Sequence, residues 1–247
     1  MSSNNNIINR TSVNEQISNY MREAIKNGTW AVEEKIPSEA ELADYFKVSK
    51  LTVRVALQQL IGMGILEKRT GDGTYVKKFD FSDYIQRSSD FYMKPELLDQ
   101  VCDFRFSIEL NCCRLAINVA TKSDFKELKK LANLFNQEII NFPLKDTEDL
   151  TDESISKIVD LDFRYHRQIC VMSHNELLLN AYDMAKEPIS QYLNVILKKR
   201  IHSWLTRGED PASWKNIHGD IYTALHNQDY TECENLYIEM IDRNIDL

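Results

Sequence analysis

The sequence contains few of the residues that interrupt helices, with only seven glycines and five prolines in 247 residues. Most segments have the apolar spacing of amphipathic helices, so a mainly α protein is predicted. No stretch approaches the roughly 18 uninterrupted apolar residues of a membrane-spanning helix. The first ten residues, MSSNNNIINR, also lack the charged-then-apolar order of a secretory signal. These absences argue against membrane-spanning and secreted classes and favour a cytoplasmic protein.

The common signatures of enzymes are missing as well. The five cysteines form no CxxC pair and no even-numbered framework, so reduced thiols are expected. There is no glycine-rich phosphate loop, no GxSxG and no HExxH. Cys170 follows His166 by four residues, but on an apolar helical stripe this spacing favours core packing over a thiol nucleophile.

The charge is unevenly distributed along the chain. The formal net charge is −8, yet residues 1–79 carry 11 Lys and Arg against 9 Asp and Glu, a net of +2, which leaves −10 for the rest. A weakly basic part can approach phosphate groups while an acidic part keeps the protein in solution. We therefore predict two domains, residues 1–78 and 96–247, joined by a linker over residues 79–95.

The first domain has the signals of three helices. Candidate N-caps are Ser12 and Ser38, each followed by a glutamate three residues later as in a capping box, and Ser49. The third helix has a core stripe around Leu57, while Lys50 and Arg54 lie on another face. A basic stripe of this kind is by itself more often a solvated surface than a binding site.

A hairpin follows the third helix. Two predicted strands, Ile65–Arg69 and Thr74–Lys78, flank the turn Thr70-Gly-Asp-Gly73. Three helices and a hairpin in this order are typical of a winged helix-turn-helix, whose third helix enters the major groove of DNA.

This segment resembles the DNA-binding domain of the GntR family of bacterial transcription regulators over residues 13–78. The matching motifs keep the family's order and spacing: Ile36-Pro-Ser-Glu39, Glu41-Leu-Ala43, Val48-Ser49, Thr52-Val-Arg54, Ala56-Leu57 and Gly71-Asp-Gly-Thr-Tyr-Val76. The resemblance implies contacts with a double-stranded DNA operator by Ser38 at a helix N-terminus, by Lys50, Thr52 and Arg54 on the recognition helix, and by Thr70 and Gly71 on the wing.

Three positions depart from the family pattern. Ala40 stands where many members have a DNA-contacting arginine, and Lys47 replaces a turn glycine. Lys50 stands where arginine is common, and lysine cannot make the same bidentate contact with guanine. The departures bear on the operator sequence more than on DNA binding itself.

The second domain is predicted to be an all-α bundle of six or seven helices. The periodic segments are residues 97–120, 122–142, 152–172, 175–186, 188–206, 212–227 and 229–244. Thr121-Lys-Ser-Asp124 is a further capping box.

Polar residues interrupt three of the apolar stripes of this bundle. Asp162 and His166 share the inward face of one helix, His218 lies in the stripe of another, and Arg105 lies in that of a third. An unpaired buried charge costs several kcal/mol, so these groups need partners, water, a metal or a ligand. Glu109, one turn from Arg105, is an obvious ion-pair partner. The pair Asp162 and His166 can chelate a divalent ion if a facing helix adds a third ligand.

The second domain resembles, more loosely, the effector-binding FCD domain of the FadR subfamily. The matching pieces are Arg105-Phe-Ser-Ile-Glu109, Ala120-Thr121, Asp162-Phe-Arg-Tyr-His166, Ser173-His-Asn175, and His218 with Ala224-Leu225. Many members hold a divalent metal with one Asp and three His, and the metal holds a carboxylate effector. The resemblance implies zinc or nickel ligands at Asp162, His166 and His218.

The fourth ligand position falls on Met240, whose thioether is a poor ligand for zinc or nickel. Two outcomes stay open: a metal completed by water or an effector oxygen, or a metal-free pocket. The resemblance also implies an effector contact at Arg105, and we assign further candidate contacts to Tyr165, Tyr222 and Met240.

The sequence therefore predicts a homodimeric, ligand-responsive transcription regulator, a repressor released by a small organic or sugar acid. One alternative is a DNA-binding protein whose bundle only dimerises. A metal-dependent enzyme using Asp162, His166 and His218 is a further alternative, although no general base stands beside that set.

Overall fold

The computed structural model describes residues 12–80, 96–142, 150–208 and 214–241. The chain falls into two compact units, and the described residues contain ten helices and one two-stranded sheet. The mainly α prediction is confirmed. The predicted linker lies outside the described residues from position 81 onward, so its bounds stay a prediction. Within the described ranges, no helix has the length and apolar character required to cross a bilayer.

The first unit is a winged helix-turn-helix. Its elements are α1 (Val13–Lys26), α2 (Glu39–Phe46), α3 (Lys50–Gly62), β1 (Leu66–Arg69) and β2 (Gly73–Val76). The strands pair antiparallel, Leu66 with Val76 and Arg69 with Gly73. A single apolar core joins the three helices to the hairpin, and its fully buried members include Met21, Val53, Ala56 and Leu60.

The predicted serine caps explain where these helices begin. Ser12 and Ser49 accept the amide hydrogens of Glu15 and Thr52. Ser38 forms both bonds of a capping box, since Glu41 reaches back to its amide. Each cap satisfies a backbone donor that the helix itself leaves unpaired. Local sequence therefore decides these starts.

The second unit is a bundle of seven described helices. They are α4 (Glu96–Val119), α5 (Lys122–Ile140), α6 (Asp152–Met172), α7 (Glu176–Met184), α8 (Lys186–Arg207), α9 (Ile217–His226) and α10 (Tyr230–Met240). Helix α6 is central and packs against α4, α5, α7 and α8. Its many buried residues include polar Asp162 and His166, so the fold carries polar chemistry into the middle of the bundle.

The largest differences from the approximate predicted helix bounds lie in α9 and α10. The helix expected over 212–227 begins at Ile217, because the side chain of Asn216 accepts the amide hydrogen of Gly219 and caps it there. Trp214 consequently lies before the helix. The helix expected to reach residue 244 ends at Met240. Pro188 is compatible with the first turn of α8, where no intrahelical donor is needed.

Candidate functional site

The helix pair α2 and α3 presents the predicted DNA-contacting residues at its surface. Ser38 is exposed at the start of α2, and Lys50 and Arg54 are exposed on α3. Thr52 is half-buried, and its hydroxyl lies 2.8 Å from that of Ser49. Lys47, in the turn between the helices, has a left-handed backbone with φ of 54°. A residue other than glycine is strained in that conformation.

Arg54 forms an ion pair with a carboxylate of the same unit. Its Nε and Nη2 lie 3.0 and 2.7 Å from Oε2 of Glu39 at the start of α2. The hydrogen bond from Arg54 lowers the pKa of Glu39. Lys68 on β1 lies 3.7 Å from the other oxygen of Glu39. A phosphate or base edge must therefore replace Glu39 before Arg54 can contact DNA with the same atoms.

The hairpin has the geometry of a wing. Thr70 and Gly71 are exposed at its tip, and Gly71 has φ of 76°. At Gly73, with φ of 151°, a Cβ would lie 2.6 Å from Cε of Lys35. The turn is held by Asp72, which accepts hydrogen bonds from Lys35 at 2.9 Å and Tyr75 at 2.6 Å. These contacts present the tip in one conformation.

In the second unit, Asp162 and His166 of α6 meet His218 of α9. The two histidine Nε2 atoms are 3.2 Å apart. The carboxylate of Asp162 lies 3.4 Å from Nε2 of His218 and 3.9 Å from Nε2 of His166. All three side chains are buried. The fold thus brings three of the predicted site residues into one cluster, although the two histidines are 52 positions apart along the chain.

A second layer of polar groups holds this cluster. Nδ1 of His166 hydrogen-bonds with the hydroxyl of Tyr237 at 2.9 Å and also lies 2.9 Å from Oε2 of Glu109. Tyr182 donates to Oε1 of Glu109 at 3.0 Å. Partners on Nδ1 direct Nε2 of His166 toward Asp162 and His218, as is usual for histidines that bind metals.

Arg105 is the counter-ion of the cluster. Its guanidinium lies 2.7 Å from Glu109 and 3.4 Å from Asp162. The expected ion pair with Glu109 is present. Burial alone would raise the pKa of Asp162, but the charge of Arg105 and the hydrogen bond from His218 hold it below its usual range. The pKa of Glu109 falls to about 2 because the charges of Arg105 and His166 outweigh its burial.

The charge balance of the cluster favours a cation. Burial lowers the pKa of His218, so this ring is neutral at pH 7 and can offer a lone pair. Two buried carboxylates, those of Asp162 and Glu109, share the single guanidinium of Arg105. A buried net charge is costly, and a bound cation removes that cost.

The donor geometry also fits a metal. For bonds of about 2.0–2.1 Å, tetrahedral ligand atoms are about 3.3 Å apart, close to the observed 3.2 and 3.4 Å. The three side chains form a set whose ligand atoms all lie within 4.8 Å of one another. Two histidines and one carboxylate leave coordination positions open for water or a ligand.

A cavity of about 320 Å³ adjoins the cluster, with Asp162, His218 and Met240 in its wall. Of the four predicted effector contacts, only Met240 lines it. Arg105 is held in its ion pairs, and Tyr165 is buried and donates to the carbonyl of His218 at 2.7 Å. Tyr222 packs instead against Phe125 and His226.

Sequence reasoning missed several residues of the cavity wall. The rings of Trp204 on α8 and Trp214 pack against each other, with centroids 3.7 Å apart and planes tilted by 37°. The side chains of Arg200, Lys215 and Glu239 line the same space. The signal available in the sequence was that two of its three tryptophans fall in the second domain. The two rings stand on different elements, and periodicity does not relate them.

Two family profiles match the chain. The profile described as bacterial regulatory proteins, gntR family, matches residues 13–76. The FCD domain profile matches residues 100–243.

Curated relatives agree with these matches. The HTH-type transcriptional regulator LutR of Bacillus subtilis is 30% identical over 155 residues, covering 62% of this chain and 65% of that protein. The Uxu operon regulator of Haemophilus influenzae is 26% identical over 92% of this chain and 77% of its own length. The Glc operon transcriptional activator of Escherichia coli K12 is 26% identical over 69% of this chain and 64% of that protein. The chain thus spans just under two thirds of the length of two of these relatives.

The solved structure of Streptococcus agalactiae GntR has the same fold. The TM-score is 0.62 with 19% identity, and the match covers 94% of this chain and 98% of that one. At this identity the likeness concerns the fold alone.

Proposed function

The chain belongs to the GntR family of bacterial regulatory proteins and is a DNA-binding transcriptional regulator with an FCD domain, and from this premise we propose that its bundle senses a metal-held carboxylate effector. Its relatives are transcriptional regulators, which confirms the expectation of a regulator over an enzyme. The observation that carries the proposal is the convergence of Asp162, His166 and His218 beside a cavity.

We propose that the protein acts in the cytoplasm and that the exposed residues of α2, α3 and the wing contact DNA. Two recognition helices of a homodimer would lie about one DNA turn apart and bind a short pseudo-palindrome. Arg54 is the central contact, because its fork can exchange the oxygen of Glu39 for a phosphate or a guanine edge.

The test is Arg54→Ala against DNA fragments that the wild type selects from a random pool. Loss of a bidentate base contact costs about 1–3 kcal/mol of discrimination, so the preference over non-specific DNA should fall about 5- to 150-fold. Lys26→Ala on α1, an exposed cation that also pairs with a glutamate, is the control. Unchanged discrimination in Arg54→Ala at moderate salt would remove Arg54 from the interface.

We propose that the cluster holds zinc, nickel or another divalent ion through Asp162, His166 and His218. The ion would supply an electrophilic centre that fixes a carboxylate at the floor of the cavity. The side chains orient it: Glu109 and Tyr237 hold His166, and Tyr165 holds the backbone at His218. Met240 lines the cavity and leaves one coordination position to the ligand.

Effector binding would act by shifting populations between dimer geometries that fit the operator and geometries that do not. Release of a repressor by the effector is the arrangement we propose. The competing outcome is activation of transcription, since one relative is named an operon activator. Transcription measured in vitro with and without effector distinguishes repression from activation.

Thermal unfolding of chelator-treated protein tests the metal. An ion at a hundredfold excess over its Kd adds about 2.7 kcal/mol of stability, and zinc, nickel and manganese are compared. The rise in Tm should disappear in His218→Ala and persist in His202→Ala, an exposed histidine of α8. No rise with any ion would overturn the metal site.

The second candidate is a bundle that only dimerises. It is favoured by one observation, that Arg105 forms ion pairs with both Glu109 and Asp162, so the buried polar groups satisfy one another. It predicts no change of Tm with metals or acids.

A further inference from the structure

We propose that the effector is a carboxylic acid with a flat, apolar body, such as an aryl or arylalkyl acid, and not a polyhydroxylated acid. This inference rests on the proposed function, because it assigns a ligand class to the same cavity. It also corrects the broader expectation of a small organic or sugar acid drawn from the sequence.

The apolar character of the wall carries the argument. Seven of the twelve residues that line the cavity are apolar, and they include the indole rings of Trp204 and Trp214, which pack against each other. Phe135 adds a third ring and packs on His218 with centroids 4.1 Å apart. The coordinating histidine therefore borders aromatic surface, so a ligand bound at the metal places its body against rings. Aromatic pairs contribute about 0.5–1.5 kcal/mol beyond burial of their area.

Three charged residues of the wall already have partners within the protein. Lys215 pairs with Glu239, and Arg200 donates to the carbonyl of Met240 at 2.6 Å. A sugar acid would bring several hydroxyl groups against a wall in which most residues are apolar. Each buried hydroxyl without a hydrogen bond costs about 1–3 kcal/mol. An apolar ring carries no such cost.

One buried donor of the wall is unpaired. Nε1 of Trp214 is buried and has no hydrogen-bond partner among the described residues. A single acceptor on the ligand is enough to satisfy it, which fits an acid with one or two oxygens beyond a ring. The volume of the cavity also limits the size of the ligand. At about 320 Å³, it lies near the lower end of the range of about 300–1,000 Å³ for ligand pockets.

Binding is measured by calorimetry on the full chain, loaded with the ion that raises its Tm. If no ion raises the Tm, the protein is used as purified. The probes are benzoate and 3-phenylpropionate against tartrate and gluconate. The aryl acids should bind at least about tenfold more tightly. Trp204→Leu should weaken 3-phenylpropionate about tenfold or more, and Phe135→Leu, a milder change, should weaken it less. Trp30→Phe in the first unit is the control and should leave the affinity unchanged.

The outcomes separate the two claims. Tighter binding of gluconate or tartrate would overturn the aryl-acid inference and leave the sensing function in place. Equal aryl affinity in wild type and both cavity variants would place the ligand elsewhere and overturn the inference. Binding of none of the acids, together with no metal-dependent rise in Tm, would overturn both.

Discussion

Replacing Arg105 by methionine removes the one positive side chain from a buried carboxylate pair. Arg105 is 2% exposed, Glu109 0% and Asp162 5%, so water cannot replace the guanidinium. Breaking a buried ion pair by deleting one partner costs about 3–5 kcal/mol, because the remaining charge is uncompensated. We expect Arg105→Met to lower the free energy of unfolding of the bundle by that amount at pH 7.

The pH dependence of the variant follows from the same contacts. The pKa of Glu109 is lowered from 4.5 to about 2, so in the wild type its stabilisation is present above pH 4.5 and is lost as the pH falls toward 2. This corresponds to about 3 kcal/mol. Without Arg105 the folded-state pKa rises toward the unfolded value, so the variant should lose less of its stability between pH 5 and 3 than the wild type.

Urea unfolding followed by tryptophan fluorescence in a Trp30→Phe background measures this, because Trp204 and Trp214 then report on the bundle alone. Arg164→Met on the same helix as Asp162 is the matched control. Arg164 pairs with Asp160 at 3.3 Å on the surface, and such pairs contribute about 0–1 kcal/mol. A loss below about 1 kcal/mol for Arg105→Met would refute the assignment of Arg105 as the counter-ion of the cluster.

Three further predictions concern the first unit. Glu39→Gln should raise DNA affinity and steepen its salt dependence, since Arg54 is freed for phosphate; equal affinity and slope in salt titrations of binding would contradict this. Lys47→Gly should raise the stability of this unit by up to about 1 kcal/mol in thermal unfolding, because only glycine adopts the left-handed conformation without strain. Gly73→Ala should destabilise it by about 1–3 kcal/mol because of the positive φ at this position, and a Tm equal to wild type would contradict the turn geometry.

Much of the DNA-binding unit was predictable because its signals are local. The caps at Ser38 and Ser49 bond to amides three residues away, and the hairpin turn is read from consecutive residues. What the sequence did not indicate is the pairing of Arg54 with Glu39, 15 residues apart. That contact depends on how α2 and α3 pack.

In the bundle, the apolar spacing of the sequence by itself determined which residues face inward, so Asp162, His166, His218 and Arg105 could be identified as buried polar groups. Helical period is set by the backbone and repeats within a few residues. Which inward groups meet was decided by tertiary structure alone. Tertiary packing brings His218 to Asp162, ties Arg105 to its carboxylates and away from the cavity, and places Trp204 against Trp214. Contacts between distant segments follow from helix packing and not from spacing along the chain.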